Sequence, residues 1–310
     1  MGVPRVTSIP DYGPDSASKF IPEVWSGKLV EKFYKSTVFG EICSTDYEGE
    51  IAGLGSNVII RTVPDVVVND YVVGAGLSNQ YPTSTAVQLS IDQAKSFSVA
   101  VSLVDQRQAD VDMADLFAND GSIQLRIAVD ADVLETIPAD VSPDNSGIAA
   151  GVDSGNIDLG DSSNPVVLTK ATVVDFIVDL GTVLDEQNVS EEGRWLVVPP
   201  WFTALVKKSD LKIASLAGDD VSILRNGKIG SIDRFTIYQS RNLLKQTTPG
   251  PASYVMFGHS AGLTFAAQIV ECEMINNPND FGYIIRGLMV YGFEVIEPKY
   301  IGTAVVARGA

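Results

Sequence analysis

Five residues near the end of the chain, Gly258-His259-Ser260-Ala261-Gly262, have the G-x-S-x-G spacing of a nucleophile elbow, and an apolar strand-like run precedes them. In such an elbow the serine Oγ stands on a tight turn. A histidine takes its proton, and backbone N–H groups hold the developing oxyanion. The base follows the serine in chain order. Here His259 is the single histidine, and it stands immediately before Ser260 in the same turn. An adjacent side chain cannot reach round to act as general base in that geometry. A serine hydrolase on residues 258–262 is therefore a distant alternative, and the pentapeptide is expected to be a Gly-flanked connection between two strands.

Other residues capable of chemistry are scattered. Cys43 and Cys272 are the two cysteines, too few for a disulfide framework, and with one histidine they supply too few soft ligands for a transition metal. Both are expected to be buried and reduced. Asp153, Asp158 and Asp161 lie among glycines and carry oxygen ligands suited to Ca²⁺, but without the spacing of an EF-hand loop, so an acidic solvated loop is expected. Asp110, Asp112 and Asp115 fall on more than one face of a helix and do not form a carboxylate pair. No phosphate-binding loop or dinucleotide fingerprint occurs. The expectation is no enzyme, no cofactor and no metal site.

Composition narrows the function classes further. The 310 residues carry 22 basic and 39 acidic side chains, a net charge of −17. A surface this acidic repels phosphate backbones and argues against direct nucleic-acid recognition. Apolar residues make up 45% and charged residues 20%, as in ordinary globular chains. No run of eighteen apolar residues is present, so no membrane span is expected, and the first residues lack the apolar core of a signal peptide.

Periodicity sets out the elements. Residues 1 to about 20 read as an extended arm, and Pro22, Glu23, Trp25, Leu29 and Phe33 open a short helix to about Ser36. Asn57 to Val63 is a β-branched strand ended by Pro64. Asp65 to Thr85 is strand-like but broken by Gly74, Gly76 and Pro82, as suits a protruding hairpin. Alternation returns at Val87, Leu89 and Ile91, and again at Phe97, Val99, Val101 and Leu103. At Asp105, a good N-cap, the period changes to three or four: Val111, Ala114, Ala118, Leu125 and Ala128. A helix to about Ile137 follows, with a bend or break allowed at Asp120-Gly121. Between Ile127 and Thr169 there is no Lys or Arg, while Asp and Glu take eight positions in a largely loop-like stretch. Thr169 caps a second helix whose apolar set is Val173, Phe176, Ile177, Leu180 and Leu184. Strands at Trp195–Val198, Phe235–Tyr238 and Tyr254–Phe257 and a helix at Trp201–Lys208 give an α/β lobe. Three longer strands, from Gly262, Leu288 and Tyr300, close the chain.

The order of these parts, and several stretches of text, resemble the major capsid proteins of tailed bacteriophages. The resemblance is carried by Phe20-Ile21-Pro22-Glu23-Val24-Trp25-Ser26, by Tyr47-Glu48-Gly49 leading to Gly55-Ser56-Asn57-Val58-Ile59-Ile60, and most specifically by Ile91-Asp92-Gln93-Ala94-Lys95-Ser96-Phe97 running through Val104-Asp105 to Gln108-Ala109. Arg286-Gly287 and Val290-Tyr291-Gly292-Phe293-Glu294-Val295 carry it near the end. It implies an α+β, HK97-like capsid fold: an N-terminal arm (1–45), an extended E-loop hairpin (46–97), a peripheral domain with a long spine helix (98–139), an inserted α/β axial domain (140–262) and peripheral-domain C-terminal strands (263–310).

The resemblance also implies a function. The chain would be the subunit of an icosahedral phage head, assembled with itself as hexamers and pentamers in the host bacterial cytoplasm. In the virion it would enclose double-stranded DNA without sequence-specific binding. An encapsulin-like bacterial nanocompartment shell is the alternative on the same fold. A separate scaffolding protein, a portal and a decoration protein are the further partners implied. Some relatives cross-link through an E-loop lysine, but no Lys lies between Lys35 and Lys95, so a non-covalent shell is expected. Apolar Val66, Val67, Val68, Tyr71, Val72 and Val73, which a single subunit gives little core to pack against, are expected to make intersubunit contacts.

Overall fold

A computed structural model describes residues 35, 37–46, 57–61, 64, 66–71, 73–74, 79–83, 86–103, 113–209, 230–248, 250–278 and 280–309. The expected arm helix at 22–36, the Asp105 cap and the aspartates 110 and 112 lie outside the described residues, apart from Lys35.

Strand β5 (Arg194–Val198) shows why Trp195 to Val198 is an unbroken apolar run. It is buried over its whole length and lies inside a seven-stranded sheet. Side chains of a strand alternate between faces, so a strand covered on both sides is apolar at every position. Leu196 and Val198 enter one core and Trp195 and Val197 the other. The sheet runs β4 (Val166–Leu168), β12 (Ile301–Arg308), β9 (Ala252–His259), β5, β7 (Phe235–Gln239), β6 (Ser231–Ile232), with β8 (Lys245–Gln246) paired to β9. Helices α3 (Val173–Glu186) and α4 (Pro200–Lys208) cover one face. They contribute Phe176, Ile177, Leu180, Leu184, Phe202 and Val206 to the first core.

Two details of this lobe differ from the sequence expectation. Strand β12 was expected with the preceding strands in a peripheral sheet. It instead pairs antiparallel with β9 and parallel with β4. The turn at Pro298–Tyr300 carries the chain across, and the even positions Ala304 and Val306 then fall into the first core. The N-cap position of α3 falls on Thr172 rather than Thr169, and its side chain makes no cap hydrogen bond to the helix. The Thr172 hydroxyl accepts from the Thr169 backbone N–H at 3.1 Å, and the Thr169 carbonyl accepts from Val173.

Arg194 ties α3 to β5. Its side chain is wholly buried, donating to Asp185 Oδ1 at 2.7 Å and to the carbonyls of Val189, Ser190 and Gly181. Asp185 also accepts from Arg234 at 2.9 Å. Partial burial works against its charge, but the hydrogen bonds from the two guanidinium groups outweigh that and hold its carboxyl below the usual carboxylate range.

The second core lies on the other face of the sheet. It joins Trp195, Val197, Met256 and Ile301 to Val129, Val133, Leu134 and Ile137 of the long helix α2 (Met113–Thr136) and its end. The short helix α1 (Phe39–Ile42) and a three-stranded antiparallel sheet complete it. That sheet runs β10 (Leu263–Asn276), β11 (Gly282–Val295), β3 (Gln93–Ser102). Asp130 is the joint. Fully buried on α2, it accepts from the backbone N–H of Val38 (2.7 Å) and Phe39 (2.9 Å), and from Asn242 Nδ2 (2.6 Å). It thereby satisfies the free N–H groups at the start of α1 and anchors the segment after β7. Two residues along α2, Asp132 accepts from the Tyr291 hydroxyl at 2.5 Å and pairs with Lys95 at 3.5 Å.

Helix α2 runs unbroken through Gly121, where the sequence allows a break. The reason for the glycine is packing. A Cβ at Gly121 would overlap the Phe97 ring, and so would a Cβ at Gly287, the register partner of Phe97 on β11. Phe97 is wedged between the two glycines, and helix and sheet approach as closely as one aromatic ring permits. Phe117, Ala118, Val101 and Ile285 surround it.

Two outcomes follow. Gly121→Ala should gain about 1 kcal/mol of helix propensity, yet the wedge makes it destabilising overall, by about 1–2 kcal/mol, in urea unfolding of the unassembled subunit. In a Phe97→Ala background the same change should be neutral or stabilising. For Asp185, a depressed carboxyl stabilises above the ordinary carboxylate range and loses that contribution as pH falls through its own lower value. Asp185→Asn should therefore cost about 1–2 kcal/mol at pH 7, allowing for solvent screening. The gap from the parent should close below about pH 4.

Candidate functional site

The residues that suggested hydrolase chemistry form a structural turn. Ser260–Gly262 is a single 3-10 turn joining β9 to β10. His259 Nδ1 accepts from the Ala261 backbone N–H at 3.0 Å, so the imidazole caps its own turn, and its ring meets Tyr300 edge-on. The Ser260 N–H reaches the Gly193 carbonyl at 3.4 Å. These contacts hold a strand connection together.

The acidic loop spends its carboxylates locally. Asp158 Oδ1 accepts from Gly160, and Asp161 Oδ1 from Ser163 and Asn164, closing short turns. Glu186 at the end of α3 accepts the N–H groups of Asp153 and Ser154. No group of three or more His, Cys, Asp or Glu side chains with metal-binding geometry occurs among the described residues. The cysteines differ from expectation by half. Cys43 is buried, and burial, then the nearby charge of Asp130, pushes its thiol up so that it stays protonated. Cys272, on the edge strand β10, is exposed.

Carboxylates do crowd at one place. Asp92, Asp140 and Glu294 line an open cavity of about 240 Å³ with Ser90, Gln93 and Thr136. Burial, then the charges of Asp140 and Asp92, raises the Glu294 carboxyl above its usual range.

What remains is a surface. Strand β1 (Asn57–Arg61) pairs antiparallel with β2 (Ala86–Ser90), from Asn57↔Ser90 to Arg61↔Ala86. Ile60, Leu89 and Ile91 root this ladder on Ala266 of β10. Among the described residues the ladder ends at Arg61 and Ala86. The sequence there reads as strand, but residues 66–71 and 79–83 belong to no helix or ladder. Valines and tyrosines dominate it, with exposures from 65% (Val67) to 94% (Val68), and Val66, Tyr71, Val73 and Tyr81 lie within that range. Val72 lies outside the described residues. Among the described residues Gln80 ties the limbs: its amide accepts from the Val67 N–H at 3.0 Å and donates to the Val67 carbonyl at 2.6 Å. A contiguous apolar segment this exposed marks an interaction site in a folded chain. Phe281 and Met274, near the turn between β10 and β11, are also exposed apolar residues, and the sequence reading had not singled them out.

Comparison with known proteins agrees with a surface-driven role. A family model described as phage capsid protein matches residues 84–304. A solved structure from Mycobacterium phage Che8 is 27% identical, covers 92% of this chain and 96% of that one, and superposes with a TM-score of 0.76. The capsid structure of the cyanophage P-SCSP1u is 14% identical, with 94% of each chain covered and a TM-score of 0.72. The capsid of a native GTA particle is 15% identical, covering 97% of this chain and 100% of that one, with a TM-score of 0.65. At 14–15% identity these last two likenesses are of fold. No curated protein sequence matches.

The crowded cavity gives a testable consequence. A carboxyl raised by burial weakens the fold while charged, and that cost disappears as pH falls through its raised value. Glu294→Gln should therefore stabilise the unassembled subunit at pH 7, with the advantage vanishing in acid, read as the difference in denaturation midpoint across a pH series.

Proposed function

Since the chain belongs to the phage capsid protein family and is a structural subunit of a phage head, we propose that its exposed hairpin, residues 64–83, is the surface through which subunits hold one another. One observation carries this. A β-branched limb is more than three-fifths exposed at every described valine, while four cores hold buried apolar residues elsewhere among the described residues. Exposing such a segment to water is unfavourable by roughly 25 cal/mol per Å² of apolar area, and a neighbouring copy relieves it. Val66, Val67, Val68, Tyr71, Val72 and Val73 are the proposed contacts. Repetition around a closed shell turns many modest contacts into a stable whole.

The proposal extends to the division of the chain. Residues 46–97 act as the E-loop, the segment ending at Ala139 carries the spine helix, and 140–262 form the axial domain, to which the pairing of β12 adds 301–308. The absence of a lysine between Lys35 and Lys95 supports a shell held without covalent bonds through this loop. The negative charge of −17 suits a wall that must not bind the DNA it encloses. No catalytic step is assigned to the chain. A scaffolding protein, a portal and a decoration protein are its proposed partners besides itself, and the host bacterial cytoplasm is the proposed place of assembly.

The test places charge on the limb. Val67→Asp combined with Val72→Asp should leave the circular dichroism and unfolding midpoint of the subunit unchanged, because the described valines of the limb are exposed and belong to no core. Shells should be lost. Sedimentation and negative-stain microscopy read the outcome, and particles as abundant as the parent's count against the proposal.

A further inference from the structure

One side chain holds Val67 by both of its main-chain groups. The Gln80 amide accepts its N–H and donates to its C=O. A single planar amide can take both only where they point the same way, as in extended backbone; along a helix they point in opposite directions. Extended backbone alternates, so the N–H and C=O of Val66 and Val68 face the opposite edge. Among the described residues nothing takes them. Gln80 thus makes the limb half of a strand pair, with one edge filled by an amide and the other open.

A second open edge lies in the same chain. Strand β10 is paired to β11 from Leu263 to Asn276. On its outer side one bridge is present, Ser44 to Thr264, with Ser44 N–H donating to the Leu263 carbonyl and Phe265 N–H to the Ser44 carbonyl. From Ala267 to Asn276 no described strand lies on that side. The ends of the seven-stranded sheet are unsuited, because β4 has 3 residues and β6 has 2. Helix α2 packs on the face of β3 and β11, and of the two outer strands of the three-stranded sheet β10 offers the longer edge, 14 residues against 10 in β3. Unpaired edges of this length are templates for strand addition, and a valine-rich segment is the kind that adds.

Resting on the reading of this hairpin as the contact between subunits, we infer that Val66–Asp70 of one copy adds as a strand to the outer edge of β10 in a second copy. Main-chain hydrogen bonds then fix the register of the contact, and the valine side chains supply burial on both faces of the added strand. The absence of a ladder partner for 66–71 within one chain is what this mode requires: the partner is another molecule.

Hydrogen exchange read by mass spectrometry, on the full chain before and after shell assembly, tests it. Peptides covering 64–71 and 265–276 should both slow on assembly, by about tenfold or more for the amides facing the new pair. Val68→Pro, which removes an outward donor, should abolish that protection and reduce shell yield, whereas Val68→Thr should keep both. Shells in which either peptide exchanges as fast as in the free subunit overturn the strand addition. That result leaves the contact surface itself standing, which fails instead if the doubly charged Val67, Val72 variant assembles normally.

Discussion

A sheet covered on both faces needs two cores, and in this chain the alternation of β5 supplies both. Leu196 and Val198 look toward α3 and α4, while Trp195 and Val197 look toward the long helix. Because neighbouring positions on one strand serve opposite cores, the two halves of the molecule cannot separate without exposing half of β5, β9 and β12. That constraint makes the lobe spanning 140–262 and the helix-and-sheet unit around α2 a single packed body. Asp130 adds a polar joint to the apolar one, since a buried carboxylate that lost Val38, Phe39 or Asn242 would keep an uncompensated charge.

Close packing of this kind leaves little tolerance where elements cross. The Phe97 ring sets the distance between α2 and its sheet, and two glycines make room for it. The hairpin beyond the β1–β2 ladder is the opposite case. It is rooted by Ile60, Leu89 and Ile91, and the valines and tyrosines described beyond Arg61 are exposed.

Much of the fold was legible from periodicity. The two-residue alternation at Val87–Ile91 and Phe97–Val101 and the helical spacing of Phe176, Leu180 and Leu184 correspond to β2, β3 and α3. Local pattern failed where the deciding neighbour was distant in sequence. Gly121 reads as a weak point because helix propensity knows nothing of Phe97. Strand-like valines at 66–68 read as a ladder because β-propensity knows nothing of whether a partner strand is present. The exposure of Cys272 depends on what packs over its face of β10, which no spacing of apolar residues records.

The sequence by itself determined the element types, the exclusion of His259 as a base for Ser260, the acidic character of the surface and the apolar limb at 66–73. Those are properties of residue chemistry and of short-range spacing. Tertiary structure decided which strands share a sheet, so that Ile301–Arg308 joined β4 and β9, and it decided that the long helix passes Gly121 unbroken. It also left Val66 and Val68 with open main-chain groups among the described residues, by giving Val67 to Gln80. Pairing and packing between distant segments settle such questions, because a hydrogen-bond partner or a ring in the way is a fact about three-dimensional neighbours and not about the residue that meets them.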